Sequence, residues 1–401
     1  MKISALETIR LDEFPNVLWV RLHTDEGLVG LGETFFGARA VEAYLHESAA
    51  MTVLGRDPLA IERIGRDLTP YIGFAGTGAE TRGRSAVDIA LWDLFGKATG
   101  QPVYQLLGGL SRERIRTYNT CAGYRYVRSR PDWGTDDWGL DGAAEGPYED
   151  LDAFLHRADE LAHSLLEQGI TGMKIWPFDH AAVESDGYYI SPRDLDRALE
   201  PFRKIRSAVG DRMDVMVELH SLWRHPAAVT IAAALEPFDP FWYEDPVRMD
   251  SLAALTDYAS KTRVPICVSE TLGGKWEFRE LLETGACGIV MPDVSWCGGL
   301  TEARKIAALA DTYHRPVAPH DCSGPVAFMA CVHLSLSVPN ALVQESVRSF
   351  YTGWYRELVT GIPTIEDGWI LPPRGPGLGT ELLPDLERRK DAHVTVSRGQ
   401  S

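Results

Sequence analysis

The stretch FWYEDP, Phe241 to Pro246, sets two acids, Glu244 and Asp245, directly behind three large aromatic side chains. An ionised carboxylate is costly to bury without a partner, so Glu244 must face something that neutralises it. Outward from this stretch the same pattern recurs, a short apolar run ending in a polar residue. MDVMVEL carries Glu218, VPICVSE carries Glu270, GIVMPD carries Asp293, RPVAPH carries His320 and ALVQES carries Glu345, while GMKIW upstream carries Lys174. From Glu218 onward the steps are 26, 26, 23, 27 and 25 residues. Each is the length of one strand, one helix and two loops.

With IRTYNTC these runs make eight strand candidates, and helical patterns such as DLDRALEPFRKIRSAVG and LTEARKIAALADTY lie between several of them. Eight β/α units predict an α/β barrel of the TIM type, with the polar residues at the carboxyl ends of strands two to eight, the face on which active sites of such barrels lie. The barrel is expected over 115–348. Residues 1–114 read as a separate α+β domain. There VLWVRLHT and LVGLGETFF flank DEG as a hairpin, with Gly27 at the turn. Helical spacing follows at 38–54 and in SAVDIALWDLFGKATG, which Gly100 ends. The glycine-rich YIGFAGTGAETRG lacks the strand and helix of a nucleotide loop and reads as a lid. Insertions at about 124–150 and 177–192 follow the first two barrel strands and are expected over the mouth.

A net charge of −17 argues against a nucleic-acid partner, which needs a concentrated basic face. No run of 18 apolar residues is present and the start is unlike a signal peptide, so a cytoplasmic protein without a membrane partner is expected. The six cysteines lack CxxC spacing and are expected to be reduced, mostly buried side chains.

Three consecutive strands ending in Glu218, Glu244 and Glu270 bring three carboxylates to one point. Their mutual repulsion requires a cation, and oxygen-only ligation without cysteine favours Mg²⁺. The plainer alternative is three glutamates salt-bridged separately, which leaves their common register unexplained. Asp293 and His320 end adjacent strands, so a carboxylate can hold one imidazole nitrogen while the other faces the cavity. His220 follows Glu218 by two residues, and period-two alternation turns both toward the mouth.

In these residues the chain resembles the enolase superfamily, in particular its mandelate racemase-like group of acid-sugar dehydratases, over essentially its whole length. The resemblance implies a modified TIM barrel whose third, fourth and fifth strands supply Mg²⁺ ligands, here Glu218, Glu244 and Glu270. It also implies a capping domain completed by the C-terminal tail, here 349–401, and a homo-oligomer. Two departures stand out. The first ligand is usually aspartate, one methylene shorter than Glu218, and the second strand of the racemase reads K-x-K, whereas Lys174 is followed by Trp176. The pair Glu218 and His220 with Asp293 and His320 is similar to galactonate-dehydratase-type enzymes. The activity so implied is Mg²⁺-dependent dehydration of a small carboxylate, an acid sugar, to a 2-keto-3-deoxy acid. His320, oriented by Asp293, is the expected base and His220 the expected acid, with Lys174 and a protonated Glu345 on the substrate carboxylate. The alternatives are an epimerase, racemase or cycloisomerase working through the same enediolate, and a sugar-acid-binding protein without catalysis. Phe35, Phe36, Tyr71, Trp133, Trp138 and Trp176 are the expected substrate contacts.

Overall fold

The computed structural model describes residues 1–69, 76–128, 130–131, 134–140 and 146–399, so Tyr71, Trp133 and the first five residues of the expected glycine-rich lid, 71–75, lie outside the described residues. The N-terminal domain is built on β1 (Ile3–Leu11), β2 (Val17–Thr24) and β3 (Val29–Phe35), an antiparallel meander whose second turn uses Gly27 at φ 84°. The strand β1 was not anticipated. Helix Ala79–Thr99 packs on β3 more closely than side chains permit, because a Cβ on Gly32 would lie 1.9 Å from the Ala86 carbonyl oxygen. It ends at Gly100 in the left-handed region, as read from the sequence. Its first turn takes in AETRG, so the end of the expected lid is helix instead.

In the barrel β4 (Ile115–Thr120), β5 (Gly172–Ile175), β6 (Asp214–Glu218), β7 (Trp242–Glu244), β8 (Ile266–Val268) and β9 (Ile289–Val290) run parallel in sequence order. The seventh position is not the continuous strand expected of RPVAPH. It joins its neighbours through isolated bridges, Val290 to Val317, Asp293 to His320 and Val317 to Ala341. Pro316 and Pro319 have no N–H to give a ladder. β10 (Gln344–Ser346) pairs with β4 and closes the ring. Tyr118, Met216, Trp242, Cys267 and Met291 fill the barrel centre. The tail first adds the hairpin β11 (Ile365–Glu366) and β12 (Trp369–Ile370) to β4, and only then returns to the N-terminal sheet as β13 (Ala392–Arg398) beside β1.

Two acids of the N-terminal domain fix it over the barrel mouth by capping barrel helices, whose first N–H groups lack partners of their own. Asp88 Oδ2 accepts from Thr301 N at 2.9 Å, at the start of helix Leu300–Thr312. Glu33 Oε1 accepts from Ala327 N at 2.8 Å, at the start of helix Pro325–Ser337, and Trp19 Nε1 donates to Oε2 at 2.7 Å. Burial pushes both carboxyls up to about 7. All six cysteines are free, and only Cys322 is not fully buried. Among the described residues no helix is long and apolar enough to cross a membrane.

Candidate active site

Glu218, Glu244 and Glu270 offer ligand atoms that all lie within 4.8 Å of one another, and all three are buried. Glu218 and Glu244 close β6 and β7 side by side in register, and Glu270 stands two residues past β8. Such a cluster can hold a metal, and two observations fit one. Glu218 Oε2 is buried without a hydrogen-bond donor. Burial and repulsion from Glu218 push Glu244 well above the usual carboxylate range, against the pull of Lys174. Oxygen donors alone suit a hard divalent cation.

Lys174, on β5, sits among the acids with Nζ 2.5 Å from Glu244 Oε1, 2.8 Å from Glu345 Oε1 and 3.4 Å from Glu218 Oε2. Glu244 therefore faces an ammonium as well as the triad, and Trp242 Nε1 donates to its other oxygen at 2.9 Å. Glu345, expected to donate a hydrogen bond to the substrate, faces donors on both oxygens. Its Oε1 accepts from Thr120 and Lys174, and its Oε2 from Asp321 N at 2.7 Å. Although burial disfavours its charge, Lys174 and His320 hold the carboxyl below its usual range.

His320 places Nδ1 2.7 Å from Asp293 Oδ2 and Nε2 2.9 Å from Glu270 Oε2. Asp293 is itself fixed by Ser295 N and Oγ at 2.6 and 2.7 Å. Burial disfavours the imidazolium, yet Glu270 and Glu345 raise the imidazole well above its ordinary range. His220 lies beyond the end of β6 at φ 49°, so strand alternation does not place it. Its N donates to Glu218 Oε1 at 2.6 Å, and its Nδ1 lies 2.8 Å from Asp179 Oδ2. Burial opposes its charge, but Asp179 and Glu218 override that and push it up to about 9.

Above the acids a cavity is walled by Phe36, Tyr126, Val127, Trp176, Trp296 and Cys322, with Lys174, His220 and His320 at its base. Its free space is about 20 Å³, room for one water. A roomier cleft of about 690 Å³ between Arg66, Arg84 and Trp276 contains none of the ladder residues. Of the expected contacts, Trp176 lines the cavity and lies edge-on to His220 at 5.9 Å. Phe35 does not. Its ring is buried against Phe36 at 4.7 Å, and only its carbonyl reaches the wall, accepting from Trp296 Nε1 at 3.0 Å. Trp138 is buried behind the wall, 6.5 Å from Trp176.

Asp179, Trp296 and Thr120 also belong to the site, though none of them ends one of the regularly spaced apolar runs. Trp296, three residues past Asp293, was accessible to the same ladder argument; Asp179, in a polar insertion, gave no signal.

The C-terminal region, 157–386, matches the family described as enolase C-terminal domain-like, and 8–108 match the mandelate racemase / muconate lactonizing enzyme N-terminal domain. The chain belongs to the enolase superfamily. Within that superfamily it is 33% identical to a D-galactonate dehydratase of Ralstonia nicotianae over 98% of this chain and 95% of that protein. It is 32% identical to the D-galactonate dehydratase of Pectobacterium atrosepticum, over 98% and 95%. Among solved structures, an enolase of the mandelate racemase subgroup from Agrobacterium tumefaciens is 56% identical, covers 99% of both chains and superposes with a TM-score of 0.87. An enolase protein from Sargasso Sea environmental sequencing is 45% identical over the whole of both chains, with a TM-score of 0.88.

Proposed function

We propose that the protein is a Mg²⁺-dependent dehydratase of an acid sugar, abstracting the proton α to the carboxylate and eliminating the β-hydroxyl to leave a 2-keto-3-deoxy acid. The observation that carries this reading is the placement of two imidazoles on one cavity, each backed by a carboxylate. The ring topology sets them on the third and seventh of eight positions, which face each other across the barrel. The relatives named D-galactonate dehydratase support the same chemistry.

Glu218, Glu244 and Glu270 would hold a hard cation, which when bound would stabilise electrostatically the charge that develops on the substrate carboxylate. Lys174, beside Glu345, orients that carboxylate. Asp293 keeps His320 with Nδ1 engaged, so that Nε2 takes the α-proton. His220 gives a proton to the β-hydroxyl oxygen, the C–O bond breaks, and water leaves. The remaining enol tautomerises to the keto acid. Lys174 is already paired with three carboxylates, and Trp176 stands where a second lysine would serve a racemase. Both facts favour elimination over epimerisation.

The test is incubation with a panel of hexonates, D-galactonate first, in D₂O with Mg²⁺. Formation of 2-keto-3-deoxy acid is expected. A deuterated epimer without keto acid would overturn the reading.

A further inference from the structure

Asp179 opens helix Asp179–Ser185 in the insertion after β5, and it is only 3% exposed. Its Oδ2 lies 2.8 Å from His220 Nδ1, while its Oδ1 is buried with no hydrogen-bond partner. Most buried polar atoms have a hydrogen-bond partner, and Asp245 Oδ1 and Asp321 Oδ2 share this exception. Asp150 shows the usual pattern, with Arg348 donating to each of its oxygens at 2.7 Å and Asn119 adding a third bond at 2.9 Å. Asp179 is instead committed to one imidazole. That imidazole also has the Trp176 ring edge-on at 76°, and its backbone N is held by Glu218. With Nδ1 committed to Asp179, proton delivery falls to Nε2.

We propose that Asp179 is the positioning residue of the acid, the counterpart of Asp293 on the opposite side of the cavity. It holds Nδ1–H so that Nε2 carries the proton toward the leaving oxygen. The proposal rests on the dehydratase reading. His320 removes the α-proton, the C3–O bond breaks as the His220 proton passes to that oxygen, and water departs. If fluorine replaces the C3 hydroxyl, the C3–F bond breaks without proton delivery, fluoride departs, and the same enol forms.

This difference supplies the test. D-Galactonate and 3-deoxy-3-fluoro-D-galactonate are given to wild type and to Asp179→Asn with Mg²⁺. In the variant, turnover of the hydroxy acid should fall about 100-fold or more, the scale of a general-acid contribution. Exchange of its α-proton in D₂O should continue, and the fluoro acid should still eliminate at close to the wild-type rate. Equal loss on both compounds, or no loss on either, overturns the proposal. Keto acid from no hexonate of the panel with wild type overturns the dehydratase reading and this proposal with it; if another hexonate is the one dehydrated, that acid and its 3-deoxy-3-fluoro analogue replace the galactonate pair. Should Asp179→Asn not fold, a neutron structure of the wild type decides. A hydrogen on Nδ1 directed at Asp179 Oδ2 supports the assignment, and a bare Nδ1 refutes it.

Discussion

In the proposed reaction the α-proton passes to one imidazole beside the acidic triad. His320 meets Asp293 on one nitrogen and Glu270 on the other, so His320→Asn keeps size and polarity but removes the group that titrates. Exchange of the substrate α-proton in D₂O should fall at least about 100-fold while the fold persists, and residual wild-type exchange would assign the base elsewhere. Glu244 joins the triad to Lys174. A ligand that binds only the folded chain stabilises it, by about 2.7 kcal/mol at a hundredfold excess over Kd. Mg²⁺ should therefore raise the melting temperature of wild type and leave that of Glu244→Gln nearly unmoved, as scanning calorimetry would show. An equal rise in both would place the ion elsewhere. Glu218, Glu244, Glu270, Asp293 and His320 were legible because each ends an apolar run at a regular interval. Asp179 was not, because only folding of the insertion brings it to His220.

Regular spacing also announced the strands, and proline decided where a strand failed to form. Between Pro316 and Pro319 the seventh position is held by isolated bridges, with Ala318 N donating to Val290 O at 3.0 Å and His320 N to Pro292 O at 3.1 Å, so His320 keeps its place in the ladder of polar residues without a continuous strand. The contact between helix Ala79–Thr99 and β3 depends on missing side chains. Gly32→Ala forces a Cβ to 1.9 Å from the Ala86 carbonyl oxygen, and one on Gly30 would meet Ala90 O at 2.2 Å. Overpacking of this kind costs about 1–3 kcal/mol or more. Gly32→Ala should accordingly lower the urea midpoint, and an unchanged midpoint would show that the helix can shift without cost. Neither glycine marked itself in the sequence, since LVGLGETFF reads as a strand with or without a close neighbour.

Across the whole molecule, barrel, N-terminal domain and tail meet at His333. Tyr104 N donates to Nδ1 at 3.1 Å, and Nε2 lies 3.1 Å from Leu378 O, so the neutral tautomer with hydrogen on Nε2 satisfies both. Burial lowers this imidazole from 6.5 to about 4. As pH falls, the unfolded chain takes up the proton first, so the stabilisation is complete above pH 6.5 and is lost between there and about pH 4. The loss is on the order of 3 kcal/mol. Glu33 and Asp88, raised by burial, slope the other way, so the quantity to measure is the difference between wild type and His333→Gln. The stability advantage of wild type should shrink by about that amount from pH 7 to pH 4 in urea titrations, and a constant difference would exclude the linkage. By itself the amino-acid sequence determined the barrel, the separate N-terminal domain and the residues that crown the strands, because strand and helix periods and one polar residue per unit are properties of order along a chain. Only the tertiary structure decided that His220 is held by Asp179 rather than by strand alternation, that Phe36 and not Phe35 walls the cavity, and that Glu345 accepts rather than donates. Those outcomes depend on which groups meet across more than twenty, and often hundreds, of residues, and on the charge each meets there.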